Sequence, residues 1–453
     1  MVRALGGASQ PPGMTAGRPL QGFEESGITA KVKWRLIPFL FLCYILNYID
    51  RTNVAIAALQ MQGDLNFSDI VYAAGAGIFF VGYVVFEIPS NLILARVGAR
   101  FWIARIMISW GFISAAMMFV RSPASFYALR FLLGVAEAGF FPGILFYLSH
   151  WVPQRERATT SALFLTSTAL SGVIGNPLSG AILGLQGLAG LAGWQWVFLL
   201  EGIPSVICGF AVLWYLDDKP TDAEWLSPRE RTWLSRHIEA EKAATRREHD
   251  HSVLEALVHP RVWLLCVLYF SVIISFYSMT FWTPLIVKSV AGLSDSLTGT
   301  VSALPFLAAA IAMVLVGRHS DHSGERRWHL AATTWTAALA LLAAGLFPSA
   351  PPAATIAALC VACAGIWSIM GPFWALPTEF LTGTAAAGGI ALVNSVGNIG
   401  GFVGPNLMAR AKALTGDFSG GFLILSATLA LSGLIAVVGL RSSRHPQKRH
   451  KHN

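Results

Sequence analysis

The chain has 453 residues, of which 55% are hydrophobic and only 12% are charged, and its mean hydropathy is +0.58. A soluble globular domain carries about 25% charged residues, so this composition excludes an ordinary soluble protein. The apolar residues are concentrated in runs of about 18 or more, and each run is long enough for a helix to cross a bilayer. The sequence therefore predicts a protein that spans the lipid bilayer many times.

The net charge of +8 could indicate nucleic-acid binding, but the positions of the basic residues argue against it. When the spans are followed from the N-terminus, most Lys and Arg residues fall on one side, whereas Arg121, Lys288, Arg410 and Lys412 fall on the other. This asymmetry matches the positive-inside rule, under which the basic side is cytoplasmic. We therefore predict an inner-membrane protein with both termini in the cytoplasm and no nucleic-acid partner.

The predicted elements begin with a disordered cytoplasmic tail over residues 1–33, whose start lacks the apolar core of a cleavable signal peptide. Twelve apolar spans follow, at roughly 36–58, 70–94, 101–120, 124–148, 158–184, 194–216, 261–288, 297–317, 329–348, 354–377, 385–411 and 420–440. A basic cytoplasmic tail, residues 441–453, ends the chain.

The spans divide into two groups of six, over residues 34–216 and 261–440. Between them lies a charged linker, residues 217–260. In this linker Ser227 is placed to cap a helix and is followed directly by Pro, which is favoured in a first helical turn. The linker is therefore predicted to hold an amphipathic cytoplasmic helix without chemistry of its own.

The two groups of spans repeat one another. After the second span the chain reads Asn91-x4-Arg96-x-Gly98-x-Arg100, and after the eighth it reads Gly317-Arg318-His319-Ser320-Asp321. The fifth and eleventh spans are both rich in Gly and each contains a Pro, which lets helices approach closely and kink. The sequence therefore predicts an all-α membrane protein with twelve transmembrane helices in two pseudo-symmetric six-helix bundles.

The twelve spans, the central linker and the repeated loop signature resemble the major facilitator superfamily over nearly the whole chain. The second copy of the signature is the fuller one, because the first has Ala95 where the family usually has Asp. The resemblance implies a transporter that works by alternating access. The charged residues at the cytoplasmic helix ends then become candidates for gating, namely Arg96, Arg100, Asp321 and Arg326.

Two charged residues, Asp50 and Arg51, lie inside the first span. A charge at membrane depth costs about 3 kcal/mol or more unless it faces a polar cavity or a partner, so such residues indicate a functional site. Neighbours on a helix point about 100° apart, so each of the two needs a partner from another span. Arg130 and Glu137 in the fourth span are seven residues apart and therefore share one helix face.

We predict that Arg51, helped by Arg130, binds a substrate carboxylate, and that Asp50 and Glu137 bind the coupling proton. A Glu removed from water can bind and release a proton near neutral pH, because burial disfavours its charged form. The alternative is a static lattice of buried ion pairs that only orients the helices.

Other polar residues of the spans are candidates for substrate contact or for bonds between helices. We name Tyr48, Tyr83, Trp374 and Asn394 as substrate-binding candidates. Within the superfamily, four stretches are similar to the anion:cation symporter branch, and most to its tartrate-type and organic-anion permeases: 47–51, 86–94, 130–143 and 194–202. The resemblance implies that the Asp of the first span and the Glu of the fourth are proton sites and that the neighbouring Arg is the anion site.

The sequence has no nucleotide-binding Gly-rich loop ending in Lys-Ser/Thr and no nucleophile with a general base in a soluble segment. Its five Cys fall in apolar spans, so we predict no enzyme activity, no cofactor and no metal site. The predicted function is a monomeric, proton-coupled symporter that imports a small organic anion by alternating access. An exporter of amphipathic compounds and a carboxylate sensor that does not transport are the alternatives.

Overall fold

The computed structural model describes residues 22–248, 258–380 and 383–440. The predicted tail up to residue 21, part of the linker and the basic tail 441–453 lie outside the described residues. The helices are α1 (Gly22–Thr52), α2 (Val54–Asp64), α3 (Asp69–Val97), α4 (Ala99–Ala116), α5 (Pro123–Glu137), α6 (Phe140–Leu148), α7 (Gln154–Leu183), α8 (Gly193–Tyr215), α9 (Pro228–Glu248), α10 (Pro260–Ala291), α11 (Asp295–Ser323), α12 (Arg327–Leu346), α13 (Pro352–Ser368), α14 (Met370–Phe380), α15 (Gly383–Thr415) and α16 (Ser419–Gly439).

These helices make twelve crossings, because α1 continues into α2, α5 into α6 and α13 into α14 after a short break. Ten of the crossings are long and apolar enough to span a membrane. The other two, α7 and α15, are 30 and 33 residues long and carry many Ser, Thr, Gly and Ala residues, which lower their hydropathy. The predicted fold class, twelve helices in two bundles, is confirmed.

The first helix begins at Gly22, so the prediction of a disordered tail as far as residue 33 is wrong for residues 22–33. This segment is held by contacts that hydropathy does not reveal. Val32 is fully buried, while Lys31 pairs with Glu230 of α9 at 2.9 Å. One buried apolar face and one charged face let the segment extend the helix along the linker.

The two bundles meet along three helix pairs: α3 with α15, α7 with α11, and α2 with α10. At the second pair the backbones touch, since a Cβ added at Gly299 would lie 2.4 Å from the carbonyl oxygen of Asn176. Only a glycine permits this approach, which is how small residues join helices in lipid. The linker helix α9 has a capping box, in which the Ser227 N–H donates to Glu230 and the Glu230 N–H donates to Ser227.

The end of the molecule at which α9 lies is called the linker end, and the opposite end is called the far end. At the far end several side-chain bonds join the two bundles. Gln60 donates to Asp295 at 2.9 Å, and Lys412 pairs with Asp69 at 2.8 Å. The Tyr72 hydroxyl donates to a backbone carbonyl of α10 at 2.7 Å. The bundles are therefore closed against each other at the far end.

Candidate functional site

The break between α1 and α2 places the charged residues of the first crossing beside a break in the fourth. Arg51 lies next to the last residue of α1, and Glu137 ends α5 just before Gly139, which has a φ of +84°. A positive φ favours glycine, so the chain can turn sharply there. Both side chains are buried: Arg51 is 6% exposed and Glu137 is fully buried.

Arg51 and Glu137 form a direct ion pair. One carboxyl oxygen, Oε2 of Glu137, accepts from Arg51 Nη2 at 2.8 Å, from Arg51 Nε at 3.0 Å and from Asn47 Nδ2 at 2.9 Å. Its other oxygen, Oε1, has no hydrogen-bond partner among the described residues. The predicted anion site and a predicted proton site are therefore in contact, which the sequence did not reveal.

Arg51 also borders a cavity of about 50 Å³ between the two bundles. Its walls come from both halves: Tyr44, Tyr48, Arg51, Tyr83, Phe141, Leu165, Thr168, Tyr269, Ile273, Phe276, Tyr277, Met370, Trp374, Asn394 and Asn398. The structure thus brings together the predicted substrate-binding residues of the first, second, tenth and eleventh crossings.

Aromatic rings surround the guanidinium of Arg51. Its Cζ lies 4.8 Å from the ring centre of Tyr48 and 5.2 Å from that of Tyr83. Across the bundle interface, Arg51 Nη1 donates to the Tyr277 hydroxyl at 3.4 Å. Tyr277 comes from the seventh crossing and is not among the four polar substrate-binding candidates named from the sequence.

Arg130 does not reach the cavity, so its prediction as a substrate-binding residue is corrected. It is fully buried, and its guanidinium donates to the backbone carbonyls of Gly75, Ala76 and Arg51 at 3.2–3.3 Å. Phe79 and other rings pack on the same group. The guanidinium is satisfied by backbone carbonyls of α1 and α3, and a structural role for Arg130 is a prediction that a substitution can test.

Asp50 points away from the cavity, into the first bundle. Its carboxylate accepts from Trp110 Nε1 at 3.0 Å, from the Ser114 hydroxyl at 2.6 Å and from the Ser205 hydroxyl. The two predicted proton sites therefore lie on different sides of α1. We missed the three donors because an isolated Trp or Ser in an apolar span carries no functional signal.

Asn394 lines the cavity, and it also bridges the two bundles. Its Nδ2 donates to Glu87 Oε1 at 2.9 Å, and the Ser395 hydroxyl lies 3.4 Å from Glu87 Oε2. Glu87 is 5% exposed. Glu87 therefore makes a buried contact between the two halves.

The predicted gating residues lie at the linker end in two separate groups. The Arg100 side chain donates to the Leu213 carbonyl, and its backbone N–H donates to Asp218 at 2.9 Å. In the second bundle Arg326 pairs with Asp321 at 2.7 Å. Arg96 is exposed. These contacts tie helices within one half or to the linker, and their role in gating stays a prediction.

The chain matches a known protein family and several of its members. The family model described as Major Facilitator Superfamily matches residues 40–405. A protein of Agrobacterium vitis named “Putative tartrate transporter” is 48% identical over 92% of this chain and 96% of its own. A protein of Acinetobacter baumannii named “Quinolone resistance transporter” is 40% identical over 91% of this chain and 94% of its own.

The fold also matches a solved structure of the xylose transporter XylE from E. coli, described as partially occluded and inward open. The TM-score is 0.68 at 13% identity, with 88% of this chain and 97% of that chain covered. At this identity the likeness concerns the fold alone. With the family match over residues 40–405 and the close relatives, it leads to one conclusion: the chain belongs to the major facilitator superfamily.

Proposed function

We propose that the protein is a proton-coupled symporter that imports a small organic anion by alternating access. The observation that carries the proposal is the ion pair between Arg51 and Glu137 at the edge of a cavity shared by both bundles. Substrate sites of such transporters lie near the bilayer midplane, where two repeats meet.

The ion pair supplies a coupling mechanism. Arg51 gives both Nε and Nη2 to Glu137, and these are the two N–H groups that a guanidinium uses to bind a carboxylate as a fork. A substrate carboxylate must therefore compete with Glu137 for Arg51. Protonation of Glu137 removes its charge and frees the fork, so proton binding and anion binding favour each other.

The cavity supports a carboxylate substrate with either hydroxyl groups or a ring. Arg51 is the basic residue among the described residues that line it, since the guanidinium of Arg130 is held by three carbonyls. Tyr48, Tyr83 and Asn394 offer hydroxyl and amide groups, and Trp374 offers an aromatic face. A tartrate-like hydroxy acid, a sugar acid and an aromatic acid all fit this chemistry, and the Agrobacterium relative's name favours the first.

The positive-inside rule supports a cytoplasmic linker end in the inner membrane, with both termini on that side. The closed far end then faces outward, and this conformation releases substrate inward. On this view Asp50 and Glu137 take up protons from outside and, after the bundles rock, lose them to the more alkaline interior. The helix-end groups of Arg100 with Asp218 and of Asp321 with Arg326 stabilise the gate.

A thermal-shift screen of the purified protein against mono- and dicarboxylates identifies the ligand. Uptake of that ligand into proteoliposomes is then measured with the outside more acidic than the inside. We expect accumulation that a protonophore abolishes, because the gradient drives it. Accumulation that persists unchanged with the protonophore contradicts proton coupling, and a sodium gradient is then tested in its place.

One observation favours a second candidate, an exporter of amphipathic compounds: the name of the Acinetobacter baumannii relative. The two candidates differ in the direction of coupled movement. An antiporter expels its substrate from vesicles when protons flow inward, whereas a symporter accumulates it. Counterflow of labelled substrate also separates both from a carboxylate sensor, which binds the ligand and exchanges none.

A further inference from the structure

A third acid, Glu201 of α8, is buried outside the cavity and has no part in the mechanism above. It is 4% exposed. Its Oε1 lies 2.6 Å from the Ser179 hydroxyl of α7, and that hydroxyl also lies 2.8 Å from the carbonyl oxygen of Gly175. A hydroxyl has one proton to donate, so it can serve only one of these two oxygens as donor.

The second oxygen of Glu201, Oε2, has no hydrogen-bond partner among the described residues. The Asn53 side chain faces this carboxyl, is 3% exposed, and likewise has both its amide atoms without a partner in the described part of the chain. A buried carboxylate with one donor at most carries a large desolvation cost. The arrangement therefore disfavours an ionised Glu201.

A protonated Glu201 completes the hydrogen bonds. Its Oε1–H donates to the Ser179 oxygen, and the Ser179 hydroxyl then donates to the Gly175 carbonyl. Oε2 then belongs to a neutral acid and carries no charge that needs solvation. One added proton thus completes the hydrogen bonds from Glu201 through Ser179 to the Gly175 carbonyl.

The hydrogen bonds of Asp50, by contrast, favour its ionised form. Its carboxylate accepts from three donors, on Trp110, Ser114 and Ser205, as an ionised group requires. Asp50 and Asn53 are three residues apart on the first crossing, and Glu201 and Ser205 are four apart on α8, so each pair shares a helix face. The two faces meet, because Ser205, one turn from Glu201 on α8, donates to Asp50.

We propose that Asp50 and Glu201 form a coupling-ion site on the side of α1 opposite the substrate cavity, and that the pair holds one proton in this conformation. The inference deepens the proposed function and rests on its proton coupling. The charged groups nearby are Arg51 of α1 and, beyond it, Glu137 of α5. The faces of α4 and α7 contribute hydroxyls and an indole to the pair.

The place of the site explains how it would act on the substrate. Asn53 stands at the break between α1 and α2, and its carbonyl accepts the N–H groups of Ile56 and Ala57. Arg51 is two residues away along the chain. A change of protonation beside Asn53 therefore acts on the segment that carries the anion-binding guanidinium, while the site remains apart from the substrate.

The first test is spectroscopic and needs no transport. The infrared spectrum of the purified protein in H₂O and D₂O should contain a C=O band of a protonated carboxyl that disappears in Glu201→Gln. Glu224→Gln, which removes an exposed linker carboxyl, should leave that band unchanged. Ser179→Ala should shift the band, because it removes the hydrogen-bond partner. If the band is absent from the wild-type spectrum, or is still present in the Glu201→Gln spectrum, the proposal is overturned.

The second test measures how many protons move with each substrate, from the gradient at which flux reverses in proteoliposomes. We expect one proton fewer in Glu201→Gln than in the wild type, with substrate exchange reduced but measurable. An unchanged proton number, in a wild type that is proton-coupled, overturns the inference and leaves the proposed function intact. A wild type without any proton coupling rejects the proposed function itself. Flux that follows sodium and loses this dependence in Glu201→Gln overturns the proton assignment.

Discussion

Arg51 and Glu137 form a buried ion pair in which Nη2 and Oε2 lie 2.8 Å apart. Arg51 lies two residues before the break in the first crossing, and Glu137 lies directly before the break in the fourth. The pair joins two helices of one bundle, and its guanidinium also touches Tyr277 of the other bundle. The Arg51 guanidinium therefore contacts Glu137, the cavity and the second bundle. The predictions below separate these roles.

Glu137→Gln should abolish gradient-driven accumulation and retain part of the substrate exchange. The Gln oxygen can still accept from Asn47 and Arg51, so the local packing survives while the titratable group is lost. Substrate binding should become less dependent on pH than in the wild type, which a binding isotherm at several pH values measures. An unchanged accumulation ratio in this variant rejects Glu137 as a coupling residue.

Arg51→Lys should weaken substrate binding at least tenfold, because a point charge cannot replace a two-point fork. The variant keeps the positive charge opposite Glu137, so the protein should still fold. Calorimetric titration with the ligand from the thermal-shift screen gives the affinity. A wild-type affinity would show that Arg51 does not bind the carboxylate.

Arg130→Met should destabilise the protein without changing the affinity of the folded protein by more than about twofold. The substitution removes three hydrogen bonds that join α5 to backbone carbonyls, and each bond from a charged group contributes about 1.5–3 kcal/mol. Thermal unfolding and ligand titration on the same preparation give the stability and the affinity. Arg51→Lys is the comparison, because it should lower the affinity and leave the protein folded. Normal thermal stability combined with lost affinity would restore Arg130 as a substrate ligand.

Lys412→Met should loosen the closed far end, because it removes the ion pair with Asp69 that joins the two bundles. A partly exposed pair is worth about 0.5–1 kcal/mol, so the open population should rise about 2- to 5-fold. The alkylation rate of Ser302→Cys, a buried position at the bundle interface, reports this opening. Arg121→Met is the control, since it removes an exposed basic side chain between α4 and α5 of one bundle. Equal rates in all three backgrounds would contradict the closure.

The stability of the loop before α12 should depend on pH through Glu325, which lies outside the spans. Partial burial raises the pKa of this carboxyl, but the backbone N–H groups of Trp328 and His329 and the His329 side chain outweigh it, so the pKa lies below its usual range. The stabilisation is therefore present above the unfolded value of about 4.3 and is lost as the pH falls. Glu325→Gln should flatten the fall in melting temperature over acidic pH; an identical pH profile would contradict this assignment.

The sequence alone identified the residues whose charge lies inside an apolar span. A charge inside an apolar span is costly, and this physical fact singled out Asp50, Arg51, Arg130 and Glu137 before any contact was known. Helix periodicity then placed Arg130 and Glu137 on one face. It could not show that backbone carbonyls of α1 and α3 surround Arg130, because those groups carry no sequence signal.

Contacts between helices explain the other differences. Glu87 contacts Asn394 across the bundle interface, and sequence patterns cannot show a pairing between residues 307 positions apart. Residues 22–33 looked like a tail because they are not uniformly apolar, although Val32 is fully buried. The contact between Glu201 and Ser179 likewise depends on the packing of α7 against α8, which the sequence does not show.

The central claim is that substrate and Glu137 compete for Arg51, so that substrate binding is linked to proton uptake. The most direct measurement is the number of protons taken up from weakly buffered solution when the purified protein binds its ligand, followed with a pH indicator. We expect the wild type to take up protons on binding and Glu137→Gln to take up at least half a proton fewer per ligand. Ligand binding with equal proton uptake in both proteins would contradict the account.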